Sequence, residues 1–574
     1  MTDRSITVLK FGGSVLRDEN DLPRAVHDIY RQWRRSSQVL AVVSTFGGTT
    51  NKLIDRSRLF WDDPQPEALA ALLSIGEATS AALLVLALKR AGVPAKLLSP
   101  EQVGILTTGD PLDAEPVSAD LVRLRKELKQ SVVVVSGFAG VNSEGDLTLL
   151  GRGGTDFTAL FLAKELTARC VLIKDVDGLY VTDPSNGIRQ PRRFARACYN
   201  TTLRLGDQLI QPKAVRFAQE NRQCFEITGI GSNSGTLIGE FEDELAPFGT
   251  PVPLRVALLG CGTVGGGVYE RLSALSSHFE VIGVVNLDQN KALAAGIRLD
   301  QLERDARTLI EQDCDVVVEL IGGIEPARSL IKQGLKLGRH VITANKALMA
   351  EDGYLLEDLA GRSGVTIRYS ASVGGSLPAL EAVSYASNSG NPIAVIGIIN
   401  GTCNFICDQL SSGVEFGSAV KLAQQAGYAE ADPTFDIDGT DAAQKLVLLA
   451  RGAFGVDLPF ASVNRTGIEG LSTSKLCEAG AQGRSYRLVA ECRRTATGFT
   501  ASVKPIELPT SHPFAQTKGV ENCLSIETES GQTHFLKGHG AGRYPTTESV
   551  VADLFDVRHL EVPLRNNGFL EVSA

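Results

Sequence analysis

Residues 256–265 read VALLGCGTVG, a short apolar run followed at once by a Gly-x-Gly-x-x-Gly pattern. Such a run is typical of a buried parallel strand, and glycines at these spacings permit a tight turn into a helix. The first glycine allows the turn, the second lets a pyrophosphate approach the backbone, and the third lets helix and strand pack closely. The stretch predicts a dinucleotide-binding unit whose cofactor contacts are Gly260, Gly262, Thr263, Val264 and Gly265.

The next apolar run bears on the choice of cofactor. Residues 281–285 end at Asn286, and Asp288 follows two positions later. An acid near this strand end binds the 2′-hydroxyl of NAD, whereas Asn286 together with Lys291 would tolerate the 2′-phosphate of NADP. The sequence therefore leaves NAD and NADP open as alternatives.

Short apolar runs alternate with longer amphipathic stretches over the whole chain. The runs lie at 6–9, 39–43, 132–135, 171–173, 256–259, 281–285, 316–320 and 341–343. Fully apolar strands between helices indicate parallel sheets covered on both faces. We therefore predict an α/β fold in two halves, joined by a linker at 241–253 that is acidic and then rich in proline and glycine.

Composition limits the class of protein. The 574 residues, 43% hydrophobic and 21% charged, are typical of a globular chain of several domains. The formal charge of −9 disfavours a nucleic-acid partner. Ten cysteines without a Cys-x-x-Cys pair indicate reduced thiols and a cytoplasmic protein. We see no signal sequence and no run near the roughly 18 apolar residues of a membrane span, so no membrane partner is expected.

The first half contains residues suited to binding phosphates. Lys10 lies at the end of an apolar run, and Gly12 and Gly13 follow it, which offers a cation and accessible backbone N–H groups. Further segments are STFGGTTN at 44–51, Gly76-Glu77, GRGGTD at 151–156, KDVDGLY at 174–180 and TDP at 182–184. We place Gly76-Glu77 at the start of a helix. Arg152 and Glu77 would lie beside glycine-rich turns, where α/β proteins bind ligands, although a solvated surface pair is the alternative.

In this order the segments resemble the amino-acid kinase family, and within it the catalytic domain of aspartokinase, over residues 1 to about 240. The resemblance implies a three-layer α/β domain that uses ATP with Mg²⁺ to phosphorylate the side-chain carboxylate of aspartate. The residues implied for ATP and phosphate are Lys10, Gly12, Gly13, Asp156, Lys174, Asp175 and Tyr180, with Asp156 on the Mg²⁺ side. Those implied for aspartate are Arg152 on the α-carboxylate, Glu77 on the ammonium group, and Ser44 and Thr50 in the pocket.

The chain departs from the aspartokinase pattern in several places. Ser14 follows Gly13 without the usual threonine, Lys174 replaces a threonine, and GDQ at 206–208 stands where the family has Gly-Ala-Lys. The missing lysine should weaken phosphate binding unless Lys174 or Lys213 replaces it. An aspartate kinase, a degenerate or differently specific kinase, and a nucleotide- or amino-acid-sensing module therefore remain alternatives.

The linker itself carries a further expectation. Aspartokinases have a pair of small regulatory domains after the kinase domain, and the 13 residues from 241 to 253 leave no room for them. We therefore do not expect threonine or lysine to inhibit the kinase through such domains.

Seven longer motifs occupy the second half. They are ELIGG at 319–323, TANKAL at 343–348, ASVGGSLP at 371–378, GIINGTCN at 397–404, GYAEADPT at 427–434, DGTDAAQK at 438–445 and GAGRYPTT at 540–547. In this order they resemble homoserine dehydrogenase over residues 254 to about 560. The resemblance implies a Rossmann NAD(P)-binding domain at 254–390, an α+β catalytic and dimerisation domain at 391–535, and a C-terminal return to the Rossmann domain at 536–574. With the kinase-like half, the chain resembles bifunctional aspartokinase–homoserine dehydrogenases.

Two lysines are the candidate catalytic groups. Asp441 and Lys445 are four residues apart and share one face of a helix. If that face lines the cleft, Lys445 can donate a proton to the aldehyde oxygen of aspartate semialdehyde while a hydride arrives from the nicotinamide. Desolvation beside a second cation would lower a lysine pKa, and the resemblance identifies Lys346 as that cation and acid/base partner. A surface Asp–Lys pair is the alternative.

The resemblance implies several further contacts. Glu430 would receive the substrate ammonium group with help from Asp441, and the residues implied for substrate are Glu430, Asp441, Thr402 and Tyr428. Beyond the glycine turn, the implied cofactor contacts are Asn286, Gly322, Lys346 and Gly542. A monovalent cation would bind backbone oxygens of Val373 and Gly375, but Ser370 replaces a glutamate of that site. We expect a homodimer or higher homo-oligomer, formed through an antiparallel sheet within 390–530.

Overall fold

The computed structural model describes residues 5–35, 38–184, 191–206, 209–232, 234–247, 252–540 and 542–561. The described residues form two compact units, which divide between 247 and 252. Residues 207–208 of the kinase departures, residue 541 of the last motif and the predicted C-terminal segment 562–574 lie outside the described residues. The predicted α/β class and its division into two halves are confirmed.

The first unit contains two sheets. Its strands are β1 (Ile6–Phe11), β2 (Gln38–Val43), β3 (Ala95–Leu98), β4 (Leu106–Asp110), β5 (Asp113–Ser118), β6 (Val132–Ser136), β7 (Ala139–Val141), β8 (Leu147–Leu149), β9 (Arg169–Lys174), β10 (Phe194–Cys198), β11 (Phe225–Gly229), β12 (Gly235–Gly239) and β13 (Glu244–Leu245). The large sheet has the order β13-β10-β12-β11-β9-β1-β2-β6-β3, and the small one β5-β4-β7-β8. Every residue of β1 and β2 is buried, as expected for strands covered on both faces.

Eight helices of the first unit are described. They are α1 (Leu22–Arg34), α2 (Thr49–Arg58), α3 (Pro66–Arg90), α4 (Pro100–Val103), α5 (Leu121–Leu128), α6 (Gly154–Leu166), α7 (Tyr199–Leu205) and α8 (Pro212–Glu220). The large sheet is parallel except at β11–β12 and β10–β13. Strand β13 lies inside the segment expected as a linker, so the first unit continues further along the chain than the composition indicates.

Helix α3 corrects the expectation that no stretch of the chain approaches a membrane span in length and apolarity, and it also corrects the position expected for Glu77. By length and composition it could cross a membrane, and among the described residues it is the one helix that could. It nevertheless packs on β6 and β8, and Glu77 is buried on it; a core helix of a folded unit has the same apolar character. Glu77 lies near the middle of this helix and not at the start of one, as the sequence had suggested.

The second unit begins with a parallel six-stranded sheet. Its strands are β14 (Leu254–Leu259), β15 (Phe279–Val285), β16 (Leu302–Glu303), β17 (Val316–Glu319), β18 (His340–Thr343) and β19 (Ile367–Arg368). Its helices are α9 (Thr263–Ala274), α10 (Gln289–Ala294), α11 (Ala306–Glu311), α12 (Ala327–Lys336), α13 (Lys346–Arg362), α14 (Ala371–Gly374) and α15 (Ala379–Ser387). The order β16-β15-β14-β17-β18-β19 brings the carboxyl ends of β14, β17 and β18 together. Ligands of doubly wound sheets bind at this edge.

An antiparallel sheet follows, as predicted. Its strands are β20 (Pro392–Ile398), β21 (Asn464–Arg465), β22 (Arg484–Thr495), β23 (Gly498–Pro509), β24 (Glu521–Thr528) and β25 (Thr533–His539). The helices are α16 (Gly401–Ser411), α17 (Phe416–Gln425), α18 (Thr434–Ile437), α19 (Thr440–Phe454), α20 (Thr473–Ala481) and α21 (Arg543–Glu561). The sheet order is β21-β23-β22-β20-β24-β25, in which β21–β23 is the one parallel pair described. Helix α21 packs on α9 and thus returns to the dinucleotide-binding sheet.

Candidate active sites

One carboxylate joins two lysines in the second unit. Lys346 Nζ lies 2.9 Å from Asp441 Oδ1, and Lys445 Nζ lies 2.8 Å from Asp441 Oδ2. The Lys445 side chain is 11% exposed and that of Lys346 is 41% exposed. The structure thus brings together three residues that the sequence proposed as catalytic. It also excludes the alternative of a solvated surface pair for Asp441 and Lys445.

Neighbouring polar groups hold this cluster in place. Lys445 Nζ donates to the carbonyl of Ile399 at 2.9 Å. Asn400 Nδ2 lies 2.8 Å from Asp441 Oδ2 and 2.7 Å from Asp436 Oδ1. The lysine ammonium and the central carboxylate are therefore fixed by the end of β20 as well as by each other.

Two helix starts place the lysines. Lys346 is the first residue of α13, which is capped by the Asn345 side chain accepting from Leu348 N at 3.2 Å. Asp441 lies in the first turn of α19, where Gly439 precedes the helix with a φ of 83°. A positive φ is ordinary for glycine and strained for most other residues. The sequence therefore begins α19 at the residue that lets Asp441 and Lys445 share one inward face.

Electrostatics in the cluster differ from the sequence expectation. Burial would raise the pKa of Asp441, but the ammonium groups of Lys445 and Lys346 outweigh it and hold that pKa well below its usual range. The Asp441 charge raises the pKa of Lys346, against the opposing effect of burial. From the sequence, only desolvation and a second cation were considered, whereas at Lys346 the intervening Asp441 carboxylate outweighs burial.

The glycine-rich turn between β14 and α9 fits a dinucleotide. Gly260 has a φ of 97°, and a Cβ on Gly265 would lie 2.1 Å from the Gly260 carbonyl oxygen, so both positions require glycine. A Cβ on Gly262 would meet no atom within 4 Å. Gly262 and Thr263 are exposed and Val264 is half-buried, at the start of a twelve-residue helix. This leaves an open backbone surface at a helix N-terminus, which suits a pyrophosphate.

Asn286 is built into the same turn. Its Oδ1 accepts from Cys261 N at 3.1 Å, and its Nδ2 donates to the Asp288 carbonyl at 2.6 Å. The Asp288 side chain caps α10 by accepting from Lys291 N. The acid near the strand end is therefore engaged in the helix cap, while the Lys291 side chain is exposed.

The other implied ligand contacts lie on exposed loops and one helix start. Thr402 is buried and donates to the Tyr428 carbonyl at 2.7 Å, while Tyr428 and Glu430 are exposed. The Glu430 charge contributes to the raised pKa of Lys346, so the two side chains are within electrostatic range of each other. Gly322 is half-buried with a φ of 80°, and Gly542 is exposed with a φ of 130°.

Two carboxylates that the sequence argument did not consider lie beside Ser370, near the position predicted for a monovalent cation. Ser370 Oγ lies 2.7 Å from Glu381 Oε1 and 3.0 Å from Asp553 Oδ1. Asp553 is fully buried on α21. Replacing the family's glutamate by serine therefore does not leave this position without negative charge. Val373 and Gly375 lie next to it, in and after α14.

A second lysine–carboxylate–lysine cluster occurs in the first unit. Asp156 Oδ1 lies 2.7 Å from Lys10 Nζ, and Asp156 Oδ2 lies 2.8 Å from Lys174 Nζ. All three side chains are buried, at the ends of β1 and β9 and the start of α6. Burial lowers the pKa of Lys10 to about 8, against the attraction of Asp156. The cluster carries one net positive charge beside a helix N-terminus, which suits a phosphate.

The structure gives Asp156 and Gly12 more specific contacts than the resemblance implied. Each oxygen of Asp156 lies against one ammonium group, so this carboxylate orients both lysines. A Cβ on Gly12 would lie 2.7 Å from Lys10 Nζ, so glycine there lets the ammonium fold over the turn. Gly13 packs against the Thr45 carbonyl in the same way.

Glu77 is a buried acid in the same unit. It is 2% exposed, its Oε1 accepts from Thr45 N at 3.4 Å, and its Oε2 has no hydrogen-bond partner within the described chain. Thr45 Oγ1 is likewise buried without a partner there. Burial raises the pKa of Glu77 to about 7. These groups are suited to receiving a donor from a small cationic ligand.

Within the described part of the chain, Arg152 and Glu77 do not form an ion pair, and Glu77 is buried whereas Arg152 is exposed. Arg152 is exposed in the turn before α6, and within the described residues its guanidinium makes no ion pair or hydrogen bond. The alternative of a surface pair between them is therefore wrong. Arg152 stays available for an anion.

The remaining kinase candidates differ in their exposure. Ser44 and Thr50 are half-buried, Asp175 is exposed, and half-buried Tyr180 donates to Asp177 Oδ1. Of the two lysines considered as replacements for the missing cation, Lys174 is in the buried cluster. Lys213 instead lies 2.7 Å from Asp113 Oδ1 and 3.1 Å from Glu115 Oε1 on the small sheet.

Two residues beside Asp441 and its lysines were not foreseen from the sequence. Asn400 and Asp436 both lie within or next to the long motifs, but neither was singled out. Burial and the nearby Asp441 charge raise the pKa of Asp436, so it belongs to the same electrostatic group. Their presence in the motifs was the available signal, and only folding shows that they meet.

Comparison with known proteins agrees with both units. The family model for homoserine dehydrogenase matches residues 378–555, that for the homoserine dehydrogenase NAD-binding domain matches 260–370, and that for the amino acid kinase family matches 5–225. The homoserine dehydrogenase of Lactococcus lactis is 35% identical over 313 residues, covering 52% of this chain and 73% of that protein. That of Pseudomonas aeruginosa is 36% identical over 317 residues, covering 53% and 72%.

A solved structure of a homoserine dehydrogenase also resembles this chain. The crystal structure of a homoserine dehydrogenase from Thiobacillus denitrificans matches with a TM-score of 0.52 at 36% identity, covering 55% of this chain and 75% of that one. The chain therefore belongs to the homoserine dehydrogenase family, with an amino acid kinase family domain fused in front of it.

Proposed function

We propose that this chain catalyses two reactions of aspartate-family amino-acid synthesis. Its second unit would interconvert aspartate 4-semialdehyde and homoserine with NAD(P)H, and its first unit would phosphorylate aspartate with ATP. The observation that carries the first assignment is the buried Asp441 carboxylate between Lys346 and Lys445. It lies in the unit whose glycine turn fits a dinucleotide.

The dehydrogenase roles follow from burial and charge. NAD(P)H, when bound, supplies the hydride. Lys445, the more buried lysine, would donate a proton to the aldehyde oxygen, and Lys346, which is half open to solvent, would pass protons to and from the cleft. Asp441 would keep both ammonium groups in reach of one carbonyl. Because both of its oxygens are taken, Glu430 would bind the substrate ammonium group, with Asp436 adding negative charge nearby.

A direct assay tests the dehydrogenase assignment. The full chain is mixed with aspartate semialdehyde and either NADH or NADPH, and absorbance at the nicotinamide band is followed. Oxidation of the cofactor only when semialdehyde is present, with homoserine as product, is expected. Absence of homoserine with both cofactors would reject the assignment.

Cofactor preference depends on Asn286. Replacing Asn286 by aspartate places a negative charge at the ribose end of β15, so the ratio of kcat/KM for NADPH to that for NADH should fall about tenfold. The aspartate can still accept from Cys261 N but loses the hydrogen bond to the Asp288 carbonyl, so thermal unfolding is measured alongside to show that the variant stays folded. The control is Asn290→Asp, which adds the same charge on the exposed side of α10. An equal ratio in wild type and Asn286→Asp would contradict the prediction.

The kinase roles rest on the buried cluster and on Glu77. Lys10 and Lys174 would face the transferring phosphoryl group, held by Asp156, because phosphoryl transfer is catalysed mostly by positioning and by cations. Mg²⁺ would arrive with the phosphates of ATP. Arg152 would bind the aspartate α-carboxylate, Glu77 its ammonium group, and Ser44 and Thr50 would line the pocket. Asp175 and Tyr180 would lie along the nucleotide.

Glu77 gives the kinase a defined pH dependence. Only its ionised form can pair with the substrate ammonium group, and its pKa is raised to about 7. The KM for aspartate should therefore rise about tenfold per pH unit as the pH falls below 7. Rates of aspartyl hydroxamate formation between pH 5.5 and 8.5 measure this. Glu77→Gln should weaken binding and flatten the profile, whereas Glu67→Gln on the exposed start of α3 should keep it.

Ionisation of Glu77 lowers the stability of the folded protein, whereas ionisation of an acid that is paired with a cation raises it. The raised pKa of Glu77 means that the neutral form is favoured in the folded protein, so its stabilising contribution is full below pH 4.5 and is lost as the pH rises through about 7. Glu77→Gln should therefore increase the free energy of unfolding at pH 8 by up to about 3 kcal/mol. A destabilised variant at pH 8 would contradict the burial argument.

A sensing role for the first unit is the alternative. It is favoured by the departure at Lys174, which fills the phosphate cluster with a second buried lysine, and by the engagement of both Asp156 oxygens. ATP hydrolysis or transfer measured with and without aspartate separates the two. Aspartate-dependent transfer supports the kinase, and ATP binding without turnover supports the sensor.

We further propose a cytoplasmic homo-oligomer. All ten cysteines are free and seven are buried, which suits a reducing compartment. The dimer is proposed through the antiparallel sheet within 390–530, which contains strands β20 to β24. A monovalent cation is proposed at the backbone oxygens of Val373 and Gly375, with Glu381 and Asp553 supplying negative charge beside Ser370.

A further inference from the structure

Glu319 is a buried carboxylate outside the roles assigned above. It is the last residue of β17 and is fully buried. Within the described chain no lysine, arginine or histidine pairs with it. Its Oε1 accepts from Ile321 N at 2.8 Å and Gly322 N at 2.9 Å, and its Oε2 accepts from Thr343 Oγ1 at 2.5 Å. A buried carboxylate with only uncharged donors is costly, which points to a specific use.

Its first use is to shape the turn that leaves β17. Gly322 and Gly323 have φ values of 80° and 72°. The N–H groups of Ile321 and Gly322 hold one side of this turn by donating to Glu319. Asn345 Nδ2 holds the other side by donating to the Gly323 carbonyl at 2.6 Å. The turn lies at the carboxyl edge of the parallel sheet, where dinucleotides bind.

Hydrogen bonds also connect Glu319 to the start of α13, where Lys346 lies. The Thr343 hydroxyl that donates to Glu319 also accepts from Asn345 N at 3.0 Å. Asn345 caps α13, whose first residue is Lys346. A continuous chain of hydrogen bonds therefore runs from the Glu319 carboxylate through Thr343 and Asn345 to the backbone that carries the catalytic lysine.

We propose that Glu319 is a positioning residue that sets the Gly322–Gly323 turn and Lys346 in one rigid frame. The inference rests on the proposed dehydrogenase function. Hydride transfer to the carbonyl carbon and proton transfer to its oxygen must be aligned within the same complex. A frame that spans β17 and β18 holds the cofactor side and the lysine side of the reaction at a fixed separation.

The frame requires a carboxylate because each of its three partners donates. A glutamine at 319 has one accepting oxygen and one donating NH₂ group. If the oxygen faces Ile321 N and Gly322 N, the NH₂ group faces Thr343 and the hydroxyl hydrogen loses its acceptor. If the amide is reversed, the NH₂ group opposes two N–H donors. Either orientation breaks one end of the frame.

The test compares Glu319→Gln and Thr343→Val with wild type in the full chain. We expect kcat for semialdehyde reduction to fall about tenfold to a hundredfold, because small misplacements of reacting groups have effects of this size. The KM for semialdehyde should change less than threefold, since Glu430 and Thr402 are untouched. With 4-deuterated cofactor the isotope effect on kcat should increase, because hydride transfer becomes more rate-limiting.

Two controls separate positioning from stability. Asp315→Asn alters a carboxylate at the opposite end of β17, where Oδ2 accepts from Arg255 N at 2.7 Å, and it should lower Tm without changing kcat or the isotope effect. Thr343→Ser keeps the hydroxyl and should restore kcat to within about threefold of wild type. If Glu319→Gln does not fold, the Thr343→Val and Thr343→Ser pair decides alone.

Several outcomes would overturn the inference. Glu319→Gln or Thr343→Val with kcat within twofold of wild type would do so, and so would an Asp315→Asn variant that loses as much kcat as they do. Thr343→Ser behaving like Thr343→Val would remove the role of the hydroxyl. A wild-type chain without dehydrogenase activity would instead reject the proposed function itself.

Discussion

Replacing Lys445 by alanine should lower kcat for semialdehyde reduction by about 10²–10⁴-fold, the usual contribution of a positioned general acid. Lys445 is the more buried of the two lysines on Asp441, and it is held at 2.9 Å from the Ile399 carbonyl. Water does not readily replace the buried Lys445 ammonium group as the proton donor. The turn at Gly260–Gly265 is separate from the cluster, so the cofactor Kd should change less than about twofold. Steady-state rates and fluorescence titration with NADPH measure the two effects.

The matched control is Lys421→Ala, which removes an exposed lysine from α17. It should leave kcat and cofactor Kd at their wild-type values. Thermal unfolding of both variants shows whether the loss of kcat exceeds any loss of folded protein. A kcat for Lys445→Ala within tenfold of wild type would reject its role as proton donor.

Replacing Lys10 by alanine should lower aspartate phosphorylation by about 10²–10³-fold, as expected when one preorganised group facing developing charge is removed. Lys10 lies 2.7 Å from Asp156, and Lys174 holds the other oxygen. Without Lys10 the pair Asp156–Lys174 is neutral, so the cluster loses its net positive charge. Aspartyl hydroxamate formation with ATP and Mg²⁺ is the readout, and homoserine formation by the second unit is an internal reference.

The control for this change is Lys164→Ala, an exposed lysine on α6 that pairs with Glu165. It should retain full phosphorylation. The pKa of about 8 for Lys10 adds a second signature, because its proton is lost as the pH rises through 8. Wild-type ATP affinity should therefore weaken above pH 8. Full phosphorylation by Lys10→Ala would be incompatible with the kinase assignment of this cluster.

The architecture of the second unit was accessible from sequence because its signals are local. Apolar runs without alternation identify β14, β15, β17 and β18 as strands covered on both faces, and the glycine spacing identifies the turn after β14. The structure extends most of these strands by one or two residues. Whether one or two end residues join a strand depends on packing against neighbouring strands. The sequence of the strand alone does not contain that information.

The errors lie where tertiary structure decides. Glu77 was placed at a helix start because Gly76 precedes it, yet α3 is apolar on most sides and has no clear boundary there. The raised pKa of Lys346 was not foreseen, because Asp441 was assigned to the substrate and not placed between the two ammonium groups. Asn400, Asp436 and Glu319 were missed since their roles depend on which strands and helices end side by side.

In the first unit one acid lies between two bases, which leaves that cluster with one uncompensated positive charge. Small inorganic oxyanions such as sulfate or phosphate can balance this charge and would then compete with a phosphate group of the nucleotide. The salt used in purification thus becomes an experimental variable for the activity of the first unit. Rates compared across buffers need a common counter-ion before any difference is attributed to the protein.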